Sequence, residues 1–219
     1  LYFPLKGFVT LENYESILSK KKINNVNFTI PINLFCSKTK FDKLKIGEKV
    51  NLKYKKELIG FITLESKFIV KKFIFLKSIF GTTSTKHLGV KNYSKKIEKN
   101  PFSLGGKVVL NRHKVSKFFK INNYDTIRKL KKIKNRDAAF STRNIPHIGH
   151  NLIQKKIIEN KKNLTIFLIL SIKHKYTEKV LLGSYKALKL NKIFKNINIL
   201  FIHLPTFFAG PNEAFLQAK

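Results

Sequence analysis

The chain contains one cysteine, no methionine, no tryptophan and only 12 acidic residues. A single Cys36 excludes an internal disulfide, and no set of cysteines and histidines has structural-zinc spacing, so no protein-held metal is expected. Preceded by Leu34 and Phe35, Cys36 reads as a small buried residue rather than a nucleophile. Long apolar runs are missing as well. The longest, Leu164 to Leu170, interrupted only by Thr165, is far shorter than the ~20 residues of a membrane-spanning helix. No secretory signal opens the chain, so the expectation is a cytoplasmic protein with no membrane partner. The sequence starts on Leu1 without a methionine and stops at Lys219 inside helix-like residues, so a fragment is expected.

Against those 12 acidic residues stand 45 basic ones, a net charge of +33. Such a balance ordinarily points to a nucleic-acid partner. Here the lysines are spread along all 219 residues together with abundant Ile, Asn and Phe. These four residue types share A+T-rich codons, so biased base composition accounts for both excesses at once. The charge then implies weak nonspecific affinity for polyanions and no specific nucleic-acid partner. The hydrophobic fraction of 43% is that of a folded, globular chain.

Arginine is the informative scarcity. Of the 45 basic residues only Arg112, Arg128, Arg136 and Arg143 are arginine. Arg143 lies in FSTRNIPHIGH, residues 140–150, beside Asn144, His147 and His150. A guanidinium presents a rigid planar fork of donors that lysine cannot copy, which suits an oxyanion held in fixed geometry.

Two regions are legible. Residues up to about 110 read as short strands separated by turns: VNFTIPINLFC around Pro31, KVNLKYKKELIGFITLES, and FIVKKFIFLKSIF. Leu11 to Leu18 has helical spacing, residues 80–90 (FGTTSTKHLGV) signal a loop, and Leu104-Gly105-Gly106 signals a turn. The expectation is a small, mostly antiparallel β-barrel or sandwich with one or two helices. From residue 124 the rhythm changes. Tyr124 to Ile133 reads as a helix, Asp137 to Ser141 as a strand, and His147 to Asn160 as a helix with Leu152, Ile153, Ile157 and Ile158 on its apolar side. TIFLILSI (165–172) reads as a strand buried on both faces, and Glu178 to Leu190 as a helix turning Val180, Leu181, Ser184 and Leu188 inward. INILFIHL (197–204) completes the alternation, and Pro211 opens a further helix. Alternating strands and helices predict an open α/β sheet. Ligands of such sheets bind beyond the carboxyl ends of the strands, where Thr142-Arg143-Asn144, Lys173-His174-Lys175 and Phe207 to Asn212 fall.

His147 and His150, three residues apart, share one side of a helix's first turn. That turn offers free backbone N–H groups and the positive end of the helix dipole, a ready phosphate site. Gly149 leaves room for a nucleotide to approach the backbone. Two imidazoles beside a helix N-terminus can stabilise charge that builds on a phosphoryl group during in-line displacement.

The H-x-G-H pattern occurs in the superfamily of nucleotidylyltransferases and class I aminoacyl-tRNA synthetases, and its flanks decide between them. FSTRNIPHIGH resembles the F-Q-T-R-N-P-x-H-R-x-H segment of the sulfate adenylyltransferase (ATP sulfurylase) family. Pro4-Leu5-Lys6-Gly7-Phe8 with Tyr14 is similar to that family's P-L-x-G-F-M…Y opening, and Phe28 to Ile32 to its P-I-P-I strand. Residues 80–90 resemble F-G-T-T-D-x-x-H-P-G-V, LGGKV (104–108) resembles L-G-G-P-V, and LPTFFAGPNEAFLQA (204–218) resembles A-G-P-R-E-A-x-x-H-A.

This resemblance implies a PUA-like β domain over residues 1–123 and the first part of a Rossmann-like nucleotidylyltransferase (HIGH superfamily) domain over 124–219. It implies conversion of MgATP and sulfate to adenosine 5′-phosphosulfate and pyrophosphate, in either direction, with Mg2+ arriving as MgATP and a homo-oligomer as a possible assembly. Carried over by position, it makes Thr142, Arg143, His147 and His150 catalytic. Ser141, Arg143, Asn144, Ala209 and Gly210 become substrate-binding. Four departures stand out: Ser141 replaces the family's glutamine, Ile148 and Asn212 replace arginines, and Gln217 replaces a histidine. The family's G-R-D-H-A nucleotide-binding segment is not found within residues 1–219. Two alternative readings are a class I aminoacyl-tRNA synthetase fragment, supported by the literal HIGH, and a basic RNA-binding or ribosomal protein. Both leave the remaining blocks unexplained.

Overall fold

The computed structural model describes residues 3–116, 138–160, 163–170, 176–194 and 197–217. They form two compact units. The first comprises the described residues up to 116 together with 207–217, and the second those between 138 and 206. The expected helix at Tyr124 to Ile133, the junction near residue 123 and the Lys173-His174-Lys175 loop lie outside the described residues.

In the first unit, β1 (Gly7–Phe8), β4 (Leu34–Cys36), β5 (Lys49–Tyr54), β6 (Glu57–Ile69) and β7 (Phe102–Leu110) form one antiparallel sheet in the order β1-β7-β6-β5. Strand β4 pairs with β7 beside β1. Two-residue strands β2 (Lys22–Ile23) and β3 (Val26–Asn27) make a separate hairpin. The expected barrel or sandwich is therefore a single open sheet packed by helices. These are α1 (Leu11–Lys20), α2 (Lys38–Lys43), α3 (Lys72–Phe80), α4 (Leu88–Lys99) and α5 (Arg112–Ser116). One core gathers Tyr14 and Ile17 of α1, Phe75, Leu76 and Ile79 of α3, Val90 and Ile97 of α4, and Phe28, Ile30 and Phe68. A second holds Ile62, Leu64, Leu104 and the buried Cys36, whose thiol pKa burial pushes up.

Two local expectations are corrected. FIVKKFIFLKSIF continues β6 only to Ile69 and then becomes α3. Its Phe, Ile and Val content favours strand, but Phe75, Leu76 and Ile79 recur at helical spacing and all three are buried. Gly81, at φ +70°, closes that helix by donating its N–H to the Lys77 carbonyl. Leu104-Gly105-Gly106 lies inside β7 rather than in a turn. Gly106, at φ +151°, faces an irregularity in the β6–β7 register, and a Cβ there would meet the Thr63 carbonyl oxygen at 2.0 Å. The glycines permit close strand approach.

The second unit is built on three parallel strands in the order β10-β9-β8, with β8 at Ala138–Thr142, β9 at Leu164–Leu170 and β10 at Asn198–His203. Helix α6 (Ile148–Glu159) links β8 to β9, and α7 (Glu178–Leu188) precedes β10. Central β9 is buried on both faces, as a run that is apolar but for Thr165 predicts. Leu164, Ile166, Leu168 and Leu170 meet Leu181, Tyr185, Phe194 and Ile197 on one face, while Ile169 joins Ile202 and Leu204 on the other. Helix faces are less legible. In α6, Leu152 and Ile153 are exposed and Gln154 is fully buried, the reverse of what hydrophobicity suggests. In α7 Leu181 points inward but Val180 is half-exposed. Among the described residues, no helix is long and apolar enough to cross a membrane.

Candidate functional site

Parallel pairing places the carboxyl ends of the second unit's strands on one edge, with Thr142 opposite Leu168 and His203 opposite Leu170. At the end of β8 the chain bends through Arg143 and Asn144. Thr142, 7% exposed, folds its Oγ1 back to accept the Asn144 N–H at 3.1 Å. This side chain-to-backbone bond makes a tight turn without glycine. Arg143 sits on the turn, partly buried, while Ser141 and Asn144 are exposed.

Two residues further on, Pro146 leads to His147, which occupies the N-cap of α6 in extended conformation (φ −145°, ψ 170°). Its side chain makes no capping bond, while its carbonyl accepts the Asn151 N–H at 3.0 Å. The His147 and His150 rings pack closely against each other at a tilt, with centroids 3.8 Å apart and planes 31° apart. Phe140 of β8 meets the His150 ring edge-on at 5.1 Å. Burial, and secondarily the nearby His147, hold the His150 pKa below the ordinary histidine value. Gly149 has a use beyond the one its composition suggests. A Cβ there would come within 3.3 Å of His147 Cε1, so the missing side chain makes room for the neighbouring imidazole. Arg143, the histidine pair and the N–H groups of the first turn of α6, which have no acceptor within the helix, thus belong to one short connection. Paired imidazoles and helix N–H groups are donors suited to a multiply charged anion. Among the described residues, no three His, Cys, Asp or Glu side chains come together as a metal site.

Ala209 and Gly210 belong to the first unit, at the start of α8 (Pro211–Gln217). The buried Ala209 N–H donates to Glu213 Oε2 at 3.1 Å, and Gly210 takes φ +54°. Asn212, where the resembled family has arginine, donates from Nδ2 to the Ile79 carbonyl at 2.8 Å, and its own carbonyl accepts the Thr29 hydroxyl. Gln217, in place of the family's histidine, donates to Glu213 Oε1 at 2.9 Å. Both substituted positions therefore serve local structure.

Sequence reading missed Tyr185 of α7 and Gln154 of α6. Both are fully buried behind the Thr142–Asn144 turn. A lone tyrosine in an amphipathic helix carries no signal until the turn that it reaches is known.

A family model described as a PUA-like domain matches residues 1–113, and one described as ATP-sulfurylase matches 122–219. Sulfate adenylyltransferase of Pyrococcus abyssi is 30% identical over all of this chain and 58% of its own length. Those of Staphylothermus marinus and Halothermothrix orenii are 28% and 29% identical, with 58% and 59% of their lengths covered. The chain thus spans somewhat more than half the length of these relatives. Among solved structures, the hexameric APS kinase from Thiobacillus denitrificans matches 98% of this chain and 41% of its own, with a TM-score of 0.57 at 17% identity, a likeness of fold. These matches favour neither a tRNA synthetase nor an RNA-binding protein. The chain belongs to the sulfate adenylyltransferase family, as a PUA-like domain followed by ATP-sulfurylase sequence.

Proposed function

We propose that the chain carries the anion-binding half of a sulfate adenylyltransferase site in a Rossmann-like nucleotidylyltransferase domain. The supporting observation is the Thr142–His150 connection, with its tight turn, its arginine and its paired histidines at a helix N-terminus. In the forward reaction a sulfate oxygen attacks the α-phosphorus of ATP. The new phosphorus–oxygen bond forms as the bond to the bridging α–β oxygen breaks, and pyrophosphate leaves with that electron pair. Mg2+ enters with the nucleotide as MgATP. Arg143 holds sulfate by its guanidinium fork, on a turn shaped by Thr142 and flanked by Ser141 and Asn144. His147, His150 and the α6 N–H groups face the phosphates and stabilise the charge that develops on them. Removal of one such donor typically slows the chemistry about 10²–10³-fold. Ala209 and Gly210 are assigned to substrate binding by family resemblance.

Ser141 is shorter than the family's glutamine, so weaker sulfate binding is expected at this position. Homo-oligomerisation and a cytoplasmic setting belong to the same proposal. The direct test is calorimetric titration of the chain with adenosine 5′-phosphosulfate, which holds sulfate and α-phosphate in one molecule. Saturable binding that is weakened roughly 10- to 100-fold in Arg143→Lys supports the reading. Equal affinity in the two proteins would contradict it.

A further inference from the structure

We propose that Tyr185 is a positioning residue for the anion site, its phenol donating to the Asn144 carbonyl and so fixing the turn that carries Arg143. The role rests on the adenylyltransferase reading, because the turn matters to function only if Arg143 binds substrate.

Tyr185 is fully buried, and its hydroxyl reaches the Asn144 carbonyl oxygen at 3.4 Å across 41 residues of sequence. A phenylalanine would fill the same volume among Leu164, Ile166, Leu168 and Leu181 without bringing a polar atom into the core. A buried hydroxyl is favourable only where something accepts it, and here the acceptor belongs to the functional turn. The other polar groups around the phenol come from two different elements, Thr142 at the end of β8 and Gln154 on α6. Burial raises the phenol's pKa, and Thr142 and Gln154 pull it partly back, so the hydroxyl stays protonated and available as a donor near neutral pH. Gln154 lies close enough to act on the phenol, yet both of its amide atoms remain outside hydrogen-bonding geometry. Thr142 Oγ1 meanwhile takes the Asn144 N–H. Asn144 is therefore held at both backbone ends, by Thr142 at its N–H and by Tyr185 at its carbonyl, immediately after Arg143. Sheet and helix constrain one short turn together, which aims a guanidinium without recourse to a rigid backbone type.

Amide hydrogen exchange on the whole chain tests this assignment, with β9 amides such as Leu168 as the internal reference. In Tyr185→Phe, exchange of the Arg143 and Asn144 amides should rise roughly five- to tenfold relative to β9. A purely structural loss would speed turn and strand together and leave that ratio unchanged, which would overturn the assignment. Should the phenylalanine variant fold poorly, site-specific 3-fluorotyrosine at position 185 keeps the ring's size and strengthens the donor. It should slow Asn144 exchange relative to β9, and no slowing would equally overturn the proposal. Titration with adenosine 5′-phosphosulfate separates this from the underlying reading. Absence of binding to the unmodified chain counts against the adenylyltransferase function, whereas the exchange ratio decides the Tyr185 bond whatever binds.

Discussion

Arg143 is informative because lysine is so abundant around it. Its value over lysine is bidentate geometry, so the Arg143→Lys effect should fall on affinity rather than on folding. A loss of roughly 10- to 100-fold in adenosine 5′-phosphosulfate binding is expected with an unchanged melting temperature, read by calorimetry and circular dichroism. His150 sets a pH dependence. Its folded pKa lies below its ordinary value of 6.5, so above that value it is neutral in both folded and unfolded states and no stability is lost. As the pH falls below about 6.5, the unfolded chain takes up a proton that the folded one resists, and stability declines. The fall in melting temperature between pH 7 and pH 5 should therefore be shallower in His150→Gln than in the parent. An identical slope in both would place the His150 ring in a less restrictive setting than its contacts with Phe140 and His147 describe.

Strands and helices differed in how plainly they could be read. Strand β9 was legible because a strand buried on both faces has no polar face to disguise it. Helix α3 was not. Its β-branched and aromatic residues favour strand locally, and only burial of Phe75, Leu76 and Ile79 against α1 and α4 decides for helix. Helix α6 misled in another way, since Gln154 takes the buried position while Leu152 and Ile153 face outward. The histidine segment stood out in sequence because its candidate residues are adjacent, and His147 and His150 do come together at the start of α6. Tyr185 did not stand out, because its partner Asn144 is distant in sequence and is reached only through the α/β packing. Two predictions follow from these elements. Gln154→Leu removes an unpartnered buried amide at similar volume and should raise the melting temperature by about 2–4 °C for each kcal/mol relieved. Gly106→Ala drives a Cβ into the Thr63 carbonyl at a φ that L-residues avoid. It should destabilise the first unit by roughly 2 kcal/mol or more in denaturant unfolding.

The molecule as a whole presents two compact units with separate cores and a net charge of +33. That charge attracts any polyanion, so weak affinity for ATP alone says little about a specific site. Nonspecific attraction is screened within a Debye length of about 8 Å at physiological ionic strength, whereas contacts within a partly buried turn are screened much less. The residues that respond, and their persistence in salt, therefore discriminate. The most direct test is to titrate ATP into the 15N-labelled chain at about 0.15 M salt and to follow the backbone amides. Saturable shifts concentrated on Arg143, Asn144, Gly149 and His150 are predicted. Shifts scattered over lysine-rich surfaces, with residues 142–150 unmoved, would contradict the assignment of this connection as the nucleotide and sulfate site.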